Sequence, residues 1–459
     1  MSTQTFTRKT VLHRPVREVF AWHERPGALE RLTPPWERVE VLEQTGGIQD
    51  GGKVALRARV GPFSTDWRVE HRNYDQGRVF RDIQLKGPFS LWEHTHRFAA
   101  AGPSACSLSD EITYRLPFGV IGKLGDSFVR RKLEQLFEYR HAILAEDLEH
   151  MGRYGAVRNM RFLVSGASGL VGRALVPFLR SQGHEVVKLV RKQPVAADEI
   201  YWDPSREHLD LLHAKPFDAV VHLAGAGIAE SRWTKARREE IRASRVQGTR
   251  TLVNALDRLR HRPFVLVMAS ATGFYGDRGQ SRIYEDAKKG NGFLADVCDA
   301  WEREAVIARS FGIRVAKLRT GVVLTPAGGA LAKMLPVFKA GLGGRIGSGE
   351  QWMSWIGIND LLGVIYHAVL DQRCNCPINA VAPEPVTNRE FVATLARVLN
   401  RPAVLPVPAP MLRLAFGAMA DETLLTSARV MPGRLREVDY HFRQTDLESA
   451  LRFVLGRPA

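Results

Sequence analysis

The sequence predicts two different folds in one chain. The first is an α+β domain in which antiparallel strands are covered by a long helix, and the second is an α/β domain with a doubly wound parallel sheet. Apolar and charged residues alternate in the first 100 residues, an apolar stripe of helical period follows, and after Met160 short apolar runs alternate with helical segments. Period-two alternation is typical of half-buried antiparallel strands, whereas strands that alternate with helices are typical of a parallel sheet.

Each predicted strand of the first domain has one buried face. Apolar and charged residues alternate over residues 56–60 and 67–72, and glycine pairs mark the turns between such segments. In the segment 92–98, His94 and His96 lie on the same face as two aromatic residues. Successive side chains of a strand point to opposite sides, so these two imidazoles point the same way.

A long amphipathic helix closes the first domain. Its apolar stripe consists of Val129, Leu133, Leu136, Phe137, Ile143, Leu144 and Leu148. Arg140 interrupts the stripe at a point where its aliphatic stem can still pack. An antiparallel sheet needs a cover for its apolar face, and we expect this helix to supply it.

This order of strands and helix, with a short early helix near residues 15–21, resembles the START-like superfamily, which includes polyketide cyclase/dehydrases and lipid-binding domains. The resemblance covers residues 3–150, and we assign the START-like domain to residues 1–152. It implies a helix-grip fold, in which a curved sheet grips the final helix around a cavity for an apolar ligand. No third metal ligand lies near His94 and His96 in the sequence, so we predict no metal site and expect both side chains to line the cavity or the core.

A linker, predicted at residues 152–159, precedes the second domain. The predicted strands beyond it are 161–165, 184–190, 217–223, 263–268 and 313–318, and the predicted helices are 174–182, 235–258 and 295–310. This alternation is typical of βαβ units, which form a parallel sheet with helices on both faces.

A glycine-rich turn joins the first of these strands to its helix. Gly166 allows a tight turn, Gly169 lets the backbone approach a pyrophosphate, and Gly172 lets the helix pack closely on the sheet. The amino-terminal end of the helix then offers unpaired N–H groups and a positive dipole to phosphates. Three glycines alone are weak evidence, but these lie between a predicted strand and a predicted helix. The sequence therefore predicts a dinucleotide-binding Rossmann domain.

The second predicted strand ends in Arg191-Lys192, and Arg191 lies 19 residues after Gly172. NAD-binding folds commonly place an acidic residue there, which binds the ribose 2′-hydroxyl. A basic residue would instead pair with a 2′-phosphate, so we predict NADP(H) as the cofactor. The alternative is a solvated charge pair at the end of a strand.

Residues 160–459 resemble the extended short-chain dehydrogenase/reductase family. The motifs that carry the resemblance lie at 218–225, 244–249, 270–276 and 318–324. In the second of these motifs, Arg245 stands where asparagine is usual. The resemblance implies that the loop after the strand at 217–223 lies beside the nicotinamide ribose. The predicted cofactor contacts are therefore Gly166, Ser168, Gly169, Leu170, Val171, Gly172, Arg191, Leu223, Ala224 and Gly225.

Further segments resemble an atypical subgroup, described as sugar-nucleotide epimerases or NAD-dependent epimerase/dehydratases. These segments are 231–234, 341–344, 355–360 and 427–435. Members of the subgroup end in a small domain of unknown role, to which the last of these segments corresponds. We therefore assign residues 160–404 to the NADP-binding domain and residues 405–459 to the small C-terminal domain.

Typical family members carry a tyrosine and a lysine four residues apart on one helix, which exchange a proton with substrate as hydride moves. By this resemblance, the tyrosine position is Gly292 and the lysine position is Asp296, so the usual proton relay is missing. The serine that holds the substrate oxygen corresponds to Ala271, with Thr272 or Ser270 near enough to take its place.

The catalytic residues are therefore unassigned, with Thr272 and Tyr275 as the two candidates. Tyr275 could touch substrate, although packing at the end of a strand explains it equally well. Tyr284 and Lys288 have the tyrosine–lysine spacing, but glycines follow directly and would break a helix that began there.

The walls of a substrate pocket are predicted at residues 333–339 and in the glycine-rich loop 341–349. Trp352 and Trp355 could stack on a flat or sugar-like ligand, or could pack in the core.

The composition agrees with a multidomain globular protein. The 459 residues are 45% hydrophobic and 25% charged, and four cysteines are too few for a disulfide framework. No apolar run is long enough to cross a bilayer, so we expect a cytoplasmic protein without a membrane partner. The net charge is +16, of which +14 belongs to residues 153–459. The arginines are scattered and no nucleic-acid motif accompanies them, so we expect no nucleic-acid partner, although DNA binding by this half stays an alternative.

The leading interpretation is an NADP(H)-dependent oxidoreductase or epimerase that acts on a small molecule, with a fused domain for an apolar ligand. The alternative is a cofactor-binding protein without redox turnover, since the tyrosine–lysine relay is missing.

Overall fold

The computed structural model describes residues 3–60, 63–117, 125–155 and 157–457. The chain forms two compact units, one whose main part ends at Arg158 and one whose main part begins at Asn159.

The first unit contains an antiparallel sheet and, among its described residues, three α-helices. Its strands are β1 (Gln4–Leu12), β2 (Val39–Thr45), β3 (Lys53–Val60), β4 (Phe63–Asp75), β5 (Val79–Lys86), β6 (Leu91–Gly102) and β7 (Ala105–Arg115). Its helices are α1 (Val16–Glu24), α2 (Ala28–Arg31) and α3 (Asp126–Arg153).

The strands of the first unit lie in the order β1-β7-β6-β5-β4-β3-β2. The long helix α3 packs on this sheet through the predicted apolar stripe. Leu144 shares one core cluster with Phe98 of β6. Phe137 shares a second cluster with Phe6 of β1, and their ring centres are 5.5 Å apart. The predicted helix-grip fold is therefore confirmed.

The second unit contains a parallel sheet with helices between its strands. Its strands are β8 (Arg161–Ser165), β9 (Glu185–Val190), β10 (Glu199–Asp203), β11 (His208–Leu209), β12 (Ala219–His222), β13 (Val265–Ala271), β14 (Arg282–Ile283), β15 (Arg314–Thr320), β16 (Val322–Leu324), β17 (Trp352–Met353), β18 (Trp355–Gly357), β19 (Pro377–Ala380), β20 (Val386–Thr387) and β21 (Arg429–Val430). Its α-helices are α4 (Leu170–Ser181), α5 (Lys235–Asp257), α6 (Phe293–Val306), α7 (Gly329–Lys339), α8 (Ile358–Leu370), α9 (Asn388–Leu399), α10 (Ala409–Phe416), α11 (Gly433–Glu437) and α12 (Leu447–Leu455).

The large sheet of the second unit has the strand order β11-β10-β9-β8-β12-β13-β15-β19. Apart from the short edge strand β11, its neighbouring strands are parallel. Counted along the chain, six of the parallel strands lie in the order 3-2-1-4-5-6, which is the doubly wound order of dinucleotide-binding folds. The winding reverses between β8 and β12. In such sheets the ligand binds at the carboxyl ends of the strands at this reversal, so the predicted Rossmann fold is confirmed and its switch point is located.

The C-terminal region shares a core with the segments that follow the sheet. Leu447 and Leu451 of α12 belong to the same cluster as Phe391 and Leu395 of α9. A short parallel pair, β14 with β21, joins this region to the segment after β13. Among the described residues, no helix combines the length and the apolar character that crossing a bilayer requires.

The observed element ends differ from the predicted ones by a few residues. The helix α3 extends to Arg153, two residues into the predicted linker, and residue 156 of that linker lies outside the described residues. The helix predicted at 295–310 becomes α6, which ends at Val306 and continues as a 3-10 turn over Ile307–Phe311. Gly312, whose φ is +83°, ends that turn in the left-handed region that glycine adopts readily.

Candidate functional site

Close packing requires glycine at two positions of the turn between β8 and α4. Gly166 has a φ of +71°, and a Cβ there would lie 2.7 Å from the carbonyl carbon of Leu223. A Cβ on Gly172 would lie 2.2 Å from the carbonyl oxygen of Gly166. Neither position has room for a side chain, because the obstructing atoms belong to the backbone.

The outer side of this turn is open. Ser168 and Gly169 are exposed, and the N–H of Gly169 donates to the carbonyl of Gly166 at 2.9 Å. Leu170 and Val171 follow in the first turn of α4 and are half-buried. The first N–H groups of an α-helix have no partners within the helix, so an anionic group can approach the backbone here.

The strand β12, next to β8, is joined to it by a buried histidine. His222 lies with Nδ1 2.6 Å from Ser165 Oγ and with Nε2 2.9 Å from Thr249 Oγ1. Burial lowers the pKa of His222 to about 4, so the ring is neutral near pH 7. Ser165 Oγ also accepts the N–H of Leu223 at 3.2 Å. This network holds the loop after β12 beside the glycine-rich turn.

Two residues of α5 support the same loop. Ser244 Oγ accepts the N–H of Ala226 at 3.0 Å, and Arg245 Nη1 donates to the carbonyl of Ala226 at 3.0 Å. The guanidinium of Arg245 also lies 5.1 Å from the ring centre of Trp301. A Cβ on Gly225 would lie 3.1 Å from Cζ of Arg245. Arg245, which stands where asparagine is usual, thus places its guanidinium in contact with the loop after β12.

Arg191 lies at the same edge of the sheet. It follows β9 directly, and its side chain is exposed. Because β9 pairs in parallel with β8, with Leu189 opposite Ser165, the end of β9 lies beside the beginning of the glycine-rich turn. The predicted cofactor contacts therefore lie at the carboxyl ends of three adjacent strands. A turn without room for side chains, a helix amino terminus and an exposed cation together fit an anionic dinucleotide.

Tyr275 lies in the 3-10 turn after β13 and is fully buried. Its hydroxyl donates to Asn379 Oδ1 at 2.6 Å and accepts from Arg319 Nη1 at 2.9 Å. Burial raises the pKa of Tyr275 to about 12. Since its hydroxyl is occupied by protein partners and its ring is enclosed, the structure favours the packing alternative for this residue.

A buried ion pair lies next to Tyr275. Arg319 Nε and Nη2 donate to the two carboxylate oxygens of Glu302 at 2.9 and 3.0 Å. Ser270 Oγ donates to the same carboxylate at 2.8 Å, and Lys317 Nζ lies 3.3 Å from it. The hydroxyl of Ser270 is therefore committed to Glu302, which favours Thr272 over Ser270 for holding a substrate oxygen.

Thr272 keeps its place as the candidate for holding a substrate oxygen. It is the first residue after β13 and is half-buried. Because β13 pairs in parallel with β12, Thr272 follows at the same sheet edge as the loop that begins at Leu223. Ala271, at the usual serine position, ends β13.

A carboxylate from the C-terminal region caps the helix on which the tyrosine–lysine relay would lie. Gly292 precedes α6, and a Cβ there would lie 3.1 Å from Glu422 Oε2. The Glu422 carboxylate accepts the N–H groups of Phe293 and Leu294 at 3.1 and 2.8 Å. Asp296, at the usual lysine position, is exposed. The usual relay is absent here, and the carboxylate of Glu422 lies beside the position that its tyrosine would occupy.

Two sequence candidates for the site have other roles. The segment 284–290 contains no helix, and Tyr284 and Lys288 are both exposed, so this pair does not form a helical relay. Trp355 is fully buried and its Nε1 donates to the carbonyl of Glu384 at 2.9 Å, so it is a core residue and does not stack on a ligand.

Trp352 is half-buried, and one face of its ring is already covered. The guanidinium of Arg429 lies 3.9 Å from the ring centre. A flat ligand could stack only on the opposite face.

Sequence reasoning missed Glu302 and Glu422. Glu302 lies four residues after Cys298, on the buried face of α6. An acidic residue at a core position of an amphipathic helix is a sequence signal that could have identified it. Glu422 is about 130 residues from the helix that it caps, and no local pattern marks that contact.

Three family models match the chain. The NAD-dependent epimerase/dehydratase family matches residues 162–377, a domain of unknown function matches 407–454, and the polyketide cyclase/dehydrase and lipid transport family matches 12–138.

The chain also resembles individual proteins over most of their length. Epimerase family protein Mb2239 of Mycobacterium bovis is 39% identical over 295 residues, which are 64% of this chain and 97% of that protein. The structure of a nucleoside-diphosphate sugar epimerase from Corynebacterium glutamicum superposes with a TM-score of 0.82 at 32% identity, over 98% of this chain and 90% of the other. The structure of human epimerase family protein SDR39U1 (isoform 2), solved with NADPH, superposes with a TM-score of 0.59 at 32% identity, over 64% of this chain and 99% of the other. The chain therefore belongs to the NAD-dependent epimerase/dehydratase family, among the epimerase family proteins of the SDR39U1 type, and carries a polyketide cyclase-like domain ahead of that fold.

Proposed function

We propose that this protein binds NADP(H) at the switch point between β8 and β12 and acts as an oxidoreductase or epimerase on a small molecule. The observation that carries the proposal is the open glycine-rich turn with Arg191 exposed at the end of the adjoining strand. The residues proposed to hold the cofactor are Gly166, Ser168, Gly169, Leu170, Val171, Gly172, Arg191, Leu223, Ala224 and Gly225. When bound, the cofactor supplies hydride transfer.

The related structures support this proposal. The human relative was solved with NADPH and is 32% identical to this chain. The relative from Corynebacterium glutamicum is described as a nucleoside-diphosphate sugar epimerase, which supports a sugar nucleotide as the class of substrate. Thr272 is the proposed contact for a substrate oxygen, because it follows the strand next to the β12 loop.

Arg191→Ala should weaken NADPH binding by roughly 10–100-fold and leave NADH binding nearly unchanged. The reason is that a charge-assisted hydrogen bond to a phosphate contributes about 1.5–3 kcal/mol, and NADH has no 2′-phosphate. Fluorescence titration of the full chain with each cofactor measures both affinities.

Arg206→Ala is the matched control for that experiment. Arg206 is an exposed arginine of the same domain, so its removal changes the net charge by the same amount at another place. Equal losses for NADPH and NADH in the Arg191 variant, or equal losses in both variants, would contradict the 2′-phosphate assignment.

A second candidate function is cofactor binding without redox turnover. It is favoured by one observation: Gly292 and Asp296 occupy the positions of the usual tyrosine and lysine, and Glu422 caps the helix at that point. Loss of nicotinamide absorbance on incubation of the full chain with NADPH and a panel of carbonyl and sugar-nucleotide compounds would reject this candidate. Tight NADPH binding without turnover over the whole panel would favour it over the oxidoreductase.

The proposal extends to the domain organisation and the partners. We place the START-like domain at 1–152, the NADP-binding domain at 160–404 and the small C-terminal domain at 405–459. The first of these is proposed to bind an apolar small molecule, and neither a membrane nor a nucleic acid is proposed as a partner. DNA binding with steeply salt-dependent affinity would contradict the last point.

A further inference from the structure

The inner face of the first unit's sheet carries a cluster of imidazoles and carboxylates. The register places His71 of β4 opposite Asp82 of β5, and Asp82 opposite His94 of β6. It also places His96 opposite Asp110 of β7. Paired residues of neighbouring strands point to the same face, so these five side chains meet on one side of the sheet.

Three of these residues present ligand atoms to one point. Asp82 Oδ2 lies 3.6 Å from His94 Nδ1 and 3.6 Å from His96 Nε2, and the ligand atoms of the three residues are within 4.8 Å of one another. A separation of 3.6 Å is too long for a hydrogen bond. Ligands that bind a tetrahedral ion at about 2.0–2.2 Å are themselves roughly 3.3–3.6 Å apart, so the two distances from Asp82 suit a metal ion between these groups.

The remaining atoms of the same side chains lie close to other polar groups of the cluster. His94 Nε2 and His96 Nδ1 lie 2.7 and 2.6 Å from Asp110 Oδ1, and Asp82 Oδ1 lies 2.6 Å from His71 Nδ1. Carboxylates that hold the outer nitrogen of a metal-binding histidine fix the orientation of the ring and increase its basicity. The inner atoms are therefore aimed at the common point by an outer set of contacts.

A further layer of contacts holds Asp110 itself. His141 of α3 lies with Nε2 2.6 Å from Asp110 Oδ2, and its Nδ1 lies 2.6 Å from Thr10 Oγ1 of β1. Thus β1, β7 and α3 all position the carboxylate behind the two histidines.

The electrostatics of the cluster favour a cation. The carboxylates of Asp82 and Asp110 both lie within 3.6 Å of the two imidazoles. Arg140 of α3 interacts with both carboxylates and offsets part of their charge. These two carboxylates, set against one guanidinium, leave a site that attracts positive charge.

We propose that Asp82, His94 and His96 bind a divalent transition-metal ion. Two imidazoles and one carboxylate are the ligand set of zinc sites that keep an open position and of mononuclear iron(II) sites. Asp82 has 20% of its side chain exposed, against 4% and 9% for His94 and His96, so the open coordination position lies on the Asp82 side. The third ligand belongs to a neighbouring strand, which is why the spacing of the two histidines does not reveal it.

The test is metal binding by the full chain after treatment with a chelator, with Zn²⁺ and Co²⁺ as probes. We expect about one ion per chain by equilibrium dialysis, and visible d–d absorption bands for Co²⁺ without the near-ultraviolet bands of thiolate ligands. Zn²⁺ should also raise the melting temperature of the first unit, because an ion that binds only the folded state stabilises it.

Variants of the cluster and a control variant test the assignment of the ligands. Asp82→Asn should weaken Zn²⁺ binding by at least about 100-fold, and Asp110→Asn by about 10–100-fold, because Asp110 acts only through the histidines. His13→Ala is the matched control, since His13 is an exposed histidine of the same unit, and it should bind as the wild type does. His94→Asn provides a second ligand variant if Asp82→Asn fails to fold.

The alternative is a proton-bridged network, in which His96 carries a proton between the carboxylates. Absence of Zn²⁺ and Co²⁺ binding in the wild type would establish that alternative and overturn the proposal. Equal affinities in wild type and in a folded ligand variant would overturn it as well, as would thiolate bands in the Co²⁺ spectrum. The readouts do not involve NADPH, so their outcome is independent of the function proposed for the second unit.

Discussion

Replacing Glu302 by glutamine should destabilise the parallel-sheet domain by about 3–5 kcal/mol. Glu302 and Arg319 are each about 4% exposed, and the glutamate oxygens accept two hydrogen bonds from the guanidinium. Glutamine keeps the shape but removes the charge, so Arg319 would remain buried with a neutral partner. Differential scanning calorimetry of the full chain should show the transition of this domain lowered by roughly 10 °C, since 1 kcal/mol shifts a domain of comparable size by about 2–4 °C.

Glu304→Gln is the matched control, because it lies two residues further along the same helix. Glu304 pairs with Arg250, and their side chains are 14% and 46% exposed, so this pair is open to solvent on the arginine side. Surface ion pairs contribute about 0–1 kcal/mol, so this variant should melt close to the wild type. Similar shifts for both variants would show that the Glu302–Arg319 pair is not an unusually important contact.

The same carboxylate should make stability depend on pH. Burial alone would raise the pKa of Glu302, but Arg319, Lys317 and Ser270 outweigh it and hold the pKa below its ordinary value of 4.5. Such a carboxyl group has a lower pKa in the folded state than in the unfolded state. The stability that it contributes is fully present when the pH is above the pKa of the unfolded state. This stability is lost as the pH falls through the folded pKa. The melting temperature of Glu302→Gln should therefore fall less steeply than that of the wild type below pH 4.5.

Gly172→Ala should reduce NADPH binding by roughly 10–100-fold or more. The new Cβ would lie 2.2 Å from the carbonyl oxygen of Gly166 and 2.6 Å from Cα of Ala167. Both are backbone atoms, so the turn itself must shift, and a displacement of this kind in a packed region costs about 1–3 kcal/mol. Fluorescence titration with NADPH and calorimetry of the free protein separate the effect on binding from the effect on stability.

Two other glycine variants serve as controls for Gly172→Ala. Gly169→Ala places its Cβ 3.2 Å from the carbonyl oxygen of Gly166 on the exposed side of the turn, so it should fold normally and still bind NADPH poorly. Gly248→Ala lies inside α5 with 3.7 Å to its nearest neighbour, and alanine favours a helix by about 1 kcal/mol over glycine. Normal NADPH binding by Gly169→Ala would show that the cofactor does not approach the backbone at this turn.

Much of the fold follows from local patterns. The stripe from Leu133 to Leu148 predicts the long helix, because burial of one helical face depends only on the period of the apolar residues. The predicted strands at 161–165 and 184–190 correspond closely to β8 and β9, because a short apolar run is also a local pattern. Boundaries are less well determined, since the residues that end a helix compete with neighbouring turns, as they do at Arg153 and Val306.

The candidate cofactor site was also accessible from the sequence, whereas the chemistry around it was not. In the glycine-rich turn, Gly172 is needed because a Cβ would meet the carbonyl oxygen of Gly166, six residues away, and Gly166 is needed because its φ is +71°. A Cβ on Gly166 would also meet the backbone of Leu223, which is a tertiary contact. The partners of Tyr275, by contrast, come from Arg319 and Asn379, which lie on other strands. Whether a tyrosine faces substrate or the core depends on those distant neighbours.

The sequence by itself determined the two folds, their order and the glycine-rich turn, because periodicity and steric demands of the backbone are local properties. Only the tertiary structure decided that Tyr275 is enclosed, that Glu422 caps α6, and that Asp82 lies beside His94 and His96. Each of these contacts joins residues that sheet order or chain folding brings together from separate segments. The spacing of residues along one segment carries no information about which strand becomes its neighbour.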